Sequence, residues 1–227
     1  MTVPGVAMLY NMGMRKTIES DVDLARGVEW LTEREPRFSR VVAATGLPPL
    51  RRAPGGLPGL LRIVTEQMIS LQAADAIWRR IERELAPLDA AAILRRRHAT
   101  LMKLGLSGAK SRTFRALARA AHKGEFRVDM LHLHSDDEVI GMLVALPGIG
   151  PWTADIYALS CLGRADAWPT GDLALQASAA DLFGLAKRPD HRTMLSLAEG
   201  WRPWRSVAAR LLWAHYRSLK GLPQAVT

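Results

Sequence analysis

The chain has 227 residues, of which 48% are hydrophobic, and its 31 Lys and Arg outnumber 22 Asp and Glu to give a formal net charge of +9. These values exclude a largely disordered chain and favour a polyanionic partner, either nucleic acid or an acidic membrane surface. No run of about 18 apolar residues could span a membrane, and residues 1–14 lack the pattern of a signal peptide, so we expect a cytoplasmic protein. The single cysteine, Cys161, excludes an internal disulfide and leaves too few thiolates for an iron–sulfur cluster.

Apolar residues spaced by three or four positions predict helices along almost the whole chain. The first two cover residues 21–32 and 38–44, and residues 46–58 are predicted to be a linker because they are rich in Pro, Gly and Arg. Residues 57–85 predict one long amphipathic helix. Further helices are predicted over residues 90–104, 111–122, 135–146, 152–162, 173–183 and 196–219, with a second break at residues 165–171. Alternating patterns typical of strands are almost absent, so the predicted fold class is all-α, and residues 1–20 are expected to be disordered.

A glycine turn stands before one of the predicted helices. Residues 146–154 read Leu-Pro-Gly-Ile-Gly-Pro-Trp-Thr-Ala, so Gly148 and Gly150 permit a sharp turn and Pro151 begins a helix. The free N–H groups and positive dipole at that helix start can bind one anion, which on a basic chain indicates a DNA phosphate. A plain helix-capping turn is the alternative.

A single carboxylate, Asp172, follows Trp152 by twenty residues. Placed beside a sugar, it could stabilise the positive charge that develops when a base leaves. The segment Gly171-Asp172 also precedes the apolar run of the next predicted helix, so Asp172 is equally a candidate N-cap, and both roles can coexist.

Taken with three further segments, these motifs resemble a known family. The segments are residues 66–74 (Glu-Gln-Met-Ile-Ser-Leu-Gln-Ala-Ala), 105–110 (Gly-Leu-Ser-Gly-Ala-Lys) and 201–206 (Trp-Arg-Pro-Trp-Arg-Ser). From about residue 21 to 216 the chain resembles the helix-hairpin-helix (HhH-GPD) DNA glycosylases, and within them the alkylpurine branch, 3-methyladenine DNA glycosylase II. The resemblance implies two helical subdomains flanking a DNA-binding cleft. One comprises residues 21–55 with 165–227, and the other, residues 56–164, carries the helix-hairpin-helix motif.

The resemblance also implies an activity. It is that of a base excision repair enzyme that binds damaged double-stranded DNA, flips out an alkylated purine such as 3-methyladenine or 7-methylguanine, and hydrolyses its N-glycosyl bond to leave an abasic site. We expect a monomer associated with the nucleoid and needing no cofactor. Asp172 takes the catalytic position. Trp152 stands where relatives that also cleave the strand have a lysine, and because an indole cannot form a Schiff base, the enzyme is expected to be monofunctional.

Other positions acquire expected roles in the same way. Trp152 and Trp213 would line the base pocket, where an indole can stack on a cationic purine, although both could be plain core residues. Ile156 replaces a tyrosine common in the branch, so the pocket should be less aromatic. Met68 would insert into the duplex as an apolar wedge, the alternative being a core position on the stripe of the predicted long helix. Tyr157 and Trp168 are assigned to packing.

The hairpin is expected to bind phosphate through Gly148, Gly150 and Thr153. The resemblance further implies an alkali ion, Na⁺ or K⁺, held by the backbone carbonyls of Val144, Leu146 and Ile149. Three basic residues at a helix start could meet phosphate or form a solvated face: Lys110, Arg112 and Arg115. His132 and His134 stand near three acids, Asp136, Asp137 and Glu138, but the acids are best explained as helix-start residues rather than metal ligands.

Two other functions remain open at this stage. A helix-hairpin-helix module could bind DNA without chemistry, but it would not need a carboxylate at the spacing of Asp172. A glycosylase for mismatched or oxidised bases is the second rival, and the single cysteine and Trp152 count against its common forms.

Overall fold

The computed structural model describes residues 17–223. Its α-helices are α1 (Asp21–Arg34), α2 (Arg37–Thr45), α3 (Gly56–Glu66), α4 (Leu71–Leu85), α5 (Ala90–Arg95), α6 (His98–Lys103), α7 (Gly108–His122), α8 (Asp136–Val144), α9 (Pro151–Ile156), α10 (Leu173–Leu182), α11 (His191–Glu199) and α12 (Arg205–Leu219). A 3₁₀ helix covers Val128–Leu133, and a π-helical turn, Tyr157–Cys161, continues α9. Within residues 17–223 the only β pairing is one isolated antiparallel bridge, so the predicted all-α class is confirmed.

Side-chain caps explain where several helices begin. Ser20 accepts the Asp23 N–H while the Asp23 carboxylate accepts the Ser20 N–H, and Ser135 and Glu138 form the same reciprocal pair at the start of α8. Each pair satisfies two N–H groups that have no partner inside the helix. The interpretation of Asp136, Asp137 and Glu138 as helix-start residues is therefore confirmed.

The predicted long helix over residues 57–85 is wrong, because the chain breaks between α3 and α4. Ser70 accepts the Ala73 N–H and starts a new helix, and Met68 adopts a left-handed backbone with φ of 57°. The two helices each bury part of the same apolar stripe, so periodicity alone could not reveal the break. Similar breaks divide residues 90–104 into α5 and α6, and residues 196–219 into α11 and α12.

The chain is ordered earlier than predicted. Ile18 is fully buried and donates its N–H to the Gly163 carbonyl at 2.7 Å, and Thr17 pairs with Arg164. The expected disorder is therefore wrong for residues 17–20, which gain backbone pairing and apolar burial. The rest of that prediction, residues 1–16, lies outside the described residues.

The helices pack in two groups. Helices α2 and α10 pack on α12 together with α1, while α3 packs with α4, α7, α9 and the π-helical turn. Tyr157 and Trp168 are buried, which confirms their assignment to packing. The linker at residues 46–55 is hydrogen-bonded to both groups. Arg210 Nε on α12 donates to the Leu50 carbonyl, and the Ala53 N–H donates to the carbonyl of Ser160 in the π-helical turn, each at 3.0 Å. No helix within residues 17–223 has the length and apolar character needed to cross a membrane.

Candidate active site

The hairpin between α8 and α9 depends on its first glycine. Gly148 has φ of 80°, and an added Cβ would overlap the hydroxyl of Thr113 on α7. A side chain at this position would therefore meet both backbone strain and a packed neighbour. Gly148 fixes the shape of the turn.

The second glycine has a different environment. Gly150 is the N-cap of α9, has φ of −96°, and a Cβ added to it would have no atom within 4 Å. The N–H groups of Trp152 and Thr153 lie in the first turn of α9, where they have no intrahelical partner, and no side chain caps this helix. This arrangement can receive an anion, as predicted from the sequence.

The side chain of Thr153 is committed elsewhere. It is buried, and its hydroxyl accepts a hydrogen bond of 2.8 Å from Gln67 Nε2, which also donates to the Gly148 carbonyl at 3.3 Å. The structure therefore leaves only the backbone N–H of Thr153 for the predicted phosphate contact. Gln67, which sequence reasoning missed, joins the hairpin to the turn after α3.

Asp172 caps α10 and faces the hairpin helix at the same time. Its Oδ1 accepts the N–H groups of Ala174 and Leu175, each at 2.9 Å, and its Oδ2 accepts the indole Nε1–H of Trp152 at 2.9 Å. The N-cap reading is thus confirmed, and the carboxylate is also brought to Trp152. Three N–H donors fix the orientation of the carboxylate, which has no ion-pair partner within residues 17–223. Trp152 is half-buried, and its indole edge rather than its face makes this contact.

The loop that carries Asp172 is held by a second carboxylate. Asp155, one turn after Trp152, accepts the Thr170 N–H at 3.1 Å, and the Asp172 N–H donates to the Pro169 carbonyl. Burial raises the pKa of Asp155 to about 6, although the Thr170 hydrogen bonds and the charge of Arg205 oppose the shift. An Asp three residues after Trp152 was the available signal, but one sequence gives no sign of its partner.

Met68 is the most exposed large apolar side chain among the described residues, with 94% of its surface accessible. It cannot be a core residue, so the alternative interpretation from the sequence is wrong. Lys110 stabilises the turn, because its Nζ donates to the carbonyls of Thr65 at 2.8 Å and Gln67 at 2.6 Å. Burial lowers the pKa of Lys110. Two of the three N–H donors of the Lys110 ammonium are therefore used within the fold, and its contact with a phosphate stays a prediction.

Arg115 likewise donates to backbone carbonyls, those of Leu94 and Arg96, and so connects α7 to the end of α5. Its guanidinium is therefore used within the fold.

Trp213 lies on α12 and makes its own crevice with the segment before α3. It is half-buried, and the wall of this shallow crevice also contains Pro48, Pro49, Ala214 and three arginines, Arg51, Arg210 and Arg217. Three guanidinium groups disfavour a cationic base at this indole, because like charges repel in a partly desolvated crevice. Neither Trp152 nor Asp172 lines this crevice.

The carbonyls proposed for an alkali ion belong to the hairpin segment. The Leu146 carbonyl accepts the Ile149 N–H at 3.2 Å, which leaves one lone pair for a cation. Neutral carbonyl oxygens suit an alkali ion, so Val144, Leu146 and Ile149 have fitting chemistry. No cluster of His, Cys, Asp and Glu suited to a metal ion occurs in the described part of the chain. Burial raises the pKa of the Cys161 thiol to about 12, so this cysteine is not a nucleophile.

An all-α fold with a glycine hairpin, a capping carboxylate and an adjoining tryptophan defines a helix-hairpin-helix DNA repair protein. The family model for the HhH-GPD superfamily base excision DNA repair protein matches residues 61–203. The chain belongs to this superfamily.

Similar proteins carry consistent descriptions. The alkylbase DNA glycosidase-like protein mag2 of Schizosaccharomyces pombe is 27% identical over 203 residues, covering 86% of this chain and 95% of that protein. DNA-3-methyladenine glycosylase 1 of the same organism is 28% identical over 166 residues, covering 68% and 69%. A segment of 73 residues is 47% identical to the probable bifunctional transcriptional activator/DNA repair enzyme AlkA of Mycobacterium tuberculosis, covering 32% of this chain and 14% of that protein.

Solved structures show the same fold. The 3-methyladenine DNA glycosylase Mag1 of S. pombe, in complex with abasic DNA, superposes with a TM-score of 0.79 and 23% identity over 89% of this chain and all of that one. A DNA-3-methyladenine glycosidase from Bacillus halodurans superposes with a TM-score of 0.73 and 24% identity over 94% and 97%.

Proposed function

We propose that the protein is a monofunctional DNA glycosylase that hydrolyses the N-glycosyl bond of alkylated purines in double-stranded DNA and leaves an abasic site. The observation that carries the proposal is the contact between Asp172 and Trp152 directly behind the hairpin. The descriptions of mag2 and DNA-3-methyladenine glycosylase 1 support alkylated bases as the substrate class. The proposal includes a monomer acting on nucleoid DNA, and gel filtration tests the oligomeric state.

The geometry suggests a division of labour. The target nucleotide must leave the stack before its glycosyl bond can be reached, and the exposed Met68 can fill the gap that it leaves. As the bond breaks, positive charge develops on the sugar, and the oriented Asp172 carboxylate can stabilise it electrostatically. The same carboxylate can orient the water that attacks C1′. Alkylation at N3 or N7 places charge on the purine and makes it a good leaving group, so little acid catalysis is needed.

The hairpin would hold the strand during these steps. The first-turn N–H groups of α9 receive a phosphate, which carries no base information. If an alkali ion binds the carbonyls of Val144, Leu146 and Ile149, it would supply positive charge beside that phosphate. Trp152 cannot form a Schiff base, so no strand cleavage is expected and borohydride should trap no covalent complex with DNA.

The first experiment measures release of free bases from a panel of damaged duplexes, by chromatography and in the presence of a chelator. Release of 3-methyladenine without added metal, nucleotide or redox cofactor is expected. If no lesion is released, the alternative of a DNA-binding module without chemistry takes over.

The second experiment uses Asp172→Asn, whose effect on the hydrogen bonds is predictable. Oδ1 can keep both backbone N–H groups, but the new NH₂ would face the Trp152 Nε1–H, donor against donor, where Oδ2 now accepts at 2.9 Å. We expect turnover to fall by about 10²–10³-fold and the free energy of unfolding to fall by about 1–3 kcal/mol.

Trp152→Phe supplies the matched background, because it removes the opposing donor. The double variant should be more stable than Asp172→Asn, because the clash between the two donors is gone. Its turnover should still be far below that of Trp152→Phe, because the carboxylate is missing. Near-normal turnover in folded Asp172→Asn would show that the carboxylate serves only as the cap of α10.

A further inference from the structure

Arg51 has a backbone conformation that side chains rarely adopt. Its φ is 48°, and within residues 17–223 the only other non-glycine residue with a positive φ is Met68. The flanking hydrogen bonds from Arg210 to Leu50 and from Ala53 to Ser160 hold Arg51 in this conformation. Left-handed non-glycine residues cost free energy and are concentrated at functional sites.

The charge around Arg51 is positive. Its guanidinium makes no hydrogen bond or ion pair within residues 17–223, and it shares the crevice beside Trp213 with Arg210 and Arg217. Arg210 is buried and donates to the carbonyls of Leu50, Ser206 and Leu159, so its charge is fixed in place without a carboxylate. Burial, and then the charge of Arg217, lower the pKa of Arg51. Among residues 17–223, no carboxylate lines the crevice.

Within residues 17–223, the charge of Glu66 opposes the lowering of the pKa of Arg51, and Glu66 immediately precedes Gln67 and Met68 and is paired with Arg62 at 2.7 Å. Gln67 in turn contacts the hairpin through Thr153. Gln67 therefore joins the turn that carries Met68 to the hairpin.

We propose that Arg51, backed by Arg210 and Arg217, binds a backbone phosphate of the DNA, at a second site separate from the hairpin. A guanidinium fork suits a phosphate, and a crevice lined by one sign of charge concentrates the field on an anion. The inference rests on the proposed function in taking DNA as the ligand, but it does not depend on the chemistry of Asp172.

The test compares Arg51→Gln with Arg188→Gln, which removes the same charge from an exposed residue in the segment between α10 and α11. Binding to damaged and undamaged duplexes is measured by fluorescence anisotropy at several salt concentrations. Arg51→Gln should weaken binding to both duplexes by about 3- to 10-fold and make the log–log salt slope shallower by about 0.9, whereas Arg188→Gln should match the wild type. Arg51→Lys, which keeps the charge, should retain the wild-type slope.

Matching affinities and slopes for folded Arg51→Gln and Arg188→Gln would overturn the inference. Titration with a deoxynucleoside 5′-monophosphate distinguishes the other source of phosphate. Saturable binding that Arg51→Gln abolishes, with DNA binding unchanged, would assign the crevice to a free nucleotide and overturn the DNA assignment. Base release by the wild type is scored separately, so absence of release overturns the proposed function and leaves this inference standing on the binding data.

Discussion

Gly150→Asp separates phosphate binding by the hairpin from its folding. A side chain at Gly150 meets no atom within 4 Å, and the φ of −96° is open to any residue. Aspartate is also a favoured N-cap, so its carboxylate can accept the first-turn N–H groups of α9. The variant should therefore fold with stability equal to or slightly above that of the wild type.

The same carboxylate should exclude a phosphate. Two unit charges about 5 Å apart repel by about 1–3 kcal/mol at effective dielectric constants between about 80 and 20, and the N–H donors would already be used. DNA affinity should fall by about 5- to 150-fold for damaged and undamaged duplexes alike, because phosphates carry no base information. The log–log salt slope should become shallower by about 0.9.

Two controls flank this variant. Gly150→Ala adds neither charge nor cap and should bind DNA nearly as the wild type does. Gly148→Ala should destabilise the protein by about 2 kcal/mol or more, lowering the melting temperature by at least about 4 °C, because φ is 80° and the new methyl overlaps Thr113. Thermal unfolding and anisotropy are measured on the same preparations. A folded Gly150→Asp variant with wild-type affinity and slope would remove the hairpin from the DNA interface.

Three further variants test individual side chains. Met68→Ala should leave stability unchanged, because the side chain is 94% exposed, but lower excision from duplex DNA by about 10-fold, while Met130→Ala serves as the exposed control; equal excision by the two would contradict the wedge role. Asp155 has its pKa raised from 3.8 to about 6, so its contribution to stability is complete below about pH 4 and is lost as the pH rises through 6. Asp155→Asn keeps an acceptor for Thr170 and does not titrate. Between about pH 4 and pH 8 the free energy of unfolding of the wild type should fall by about 2–3 kcal/mol relative to that of this variant. Parallel curves of melting temperature against pH for the two proteins would refute this reasoning. Lys110→Met leaves the Thr65 and Gln67 carbonyls without their donor and should lower the free energy of unfolding by about 1–3 kcal/mol. A variant as stable as the wild type would show that water replaces the ammonium.

The local sequence determined much of the fold. Periodicity identified the helical segments, and the turn chemistry of Gly148, Gly150 and Pro151 located the start of α9, because helix caps and left-handed glycines depend on neighbours in the chain. The family resemblance, rather than local chemistry, indicated Trp152 and Asp172 as members of one site, and the structure joins them at 2.9 Å. Periodicity failed at residues 67–70, where the apolar spacing runs on through two successive helices although Met68 between them is exposed, and a capping serine starts the second helix.

Contacts between distant segments were decided only by the tertiary structure. Lys110 was ambiguous in sequence, since a lysine at a helix start can reach solvent, phosphate or a backbone carbonyl, and only the packing of α7 against α3 brings the Thr65 carbonyl to its ammonium. The same holds for Gln67 with Thr153, for Asp155 with Thr170, and for Arg51 beside Arg210 and Arg217. Hydrogen bonds and charge clusters of this kind join residues far apart in the chain, so their energies depend on distances that no local pattern encodes.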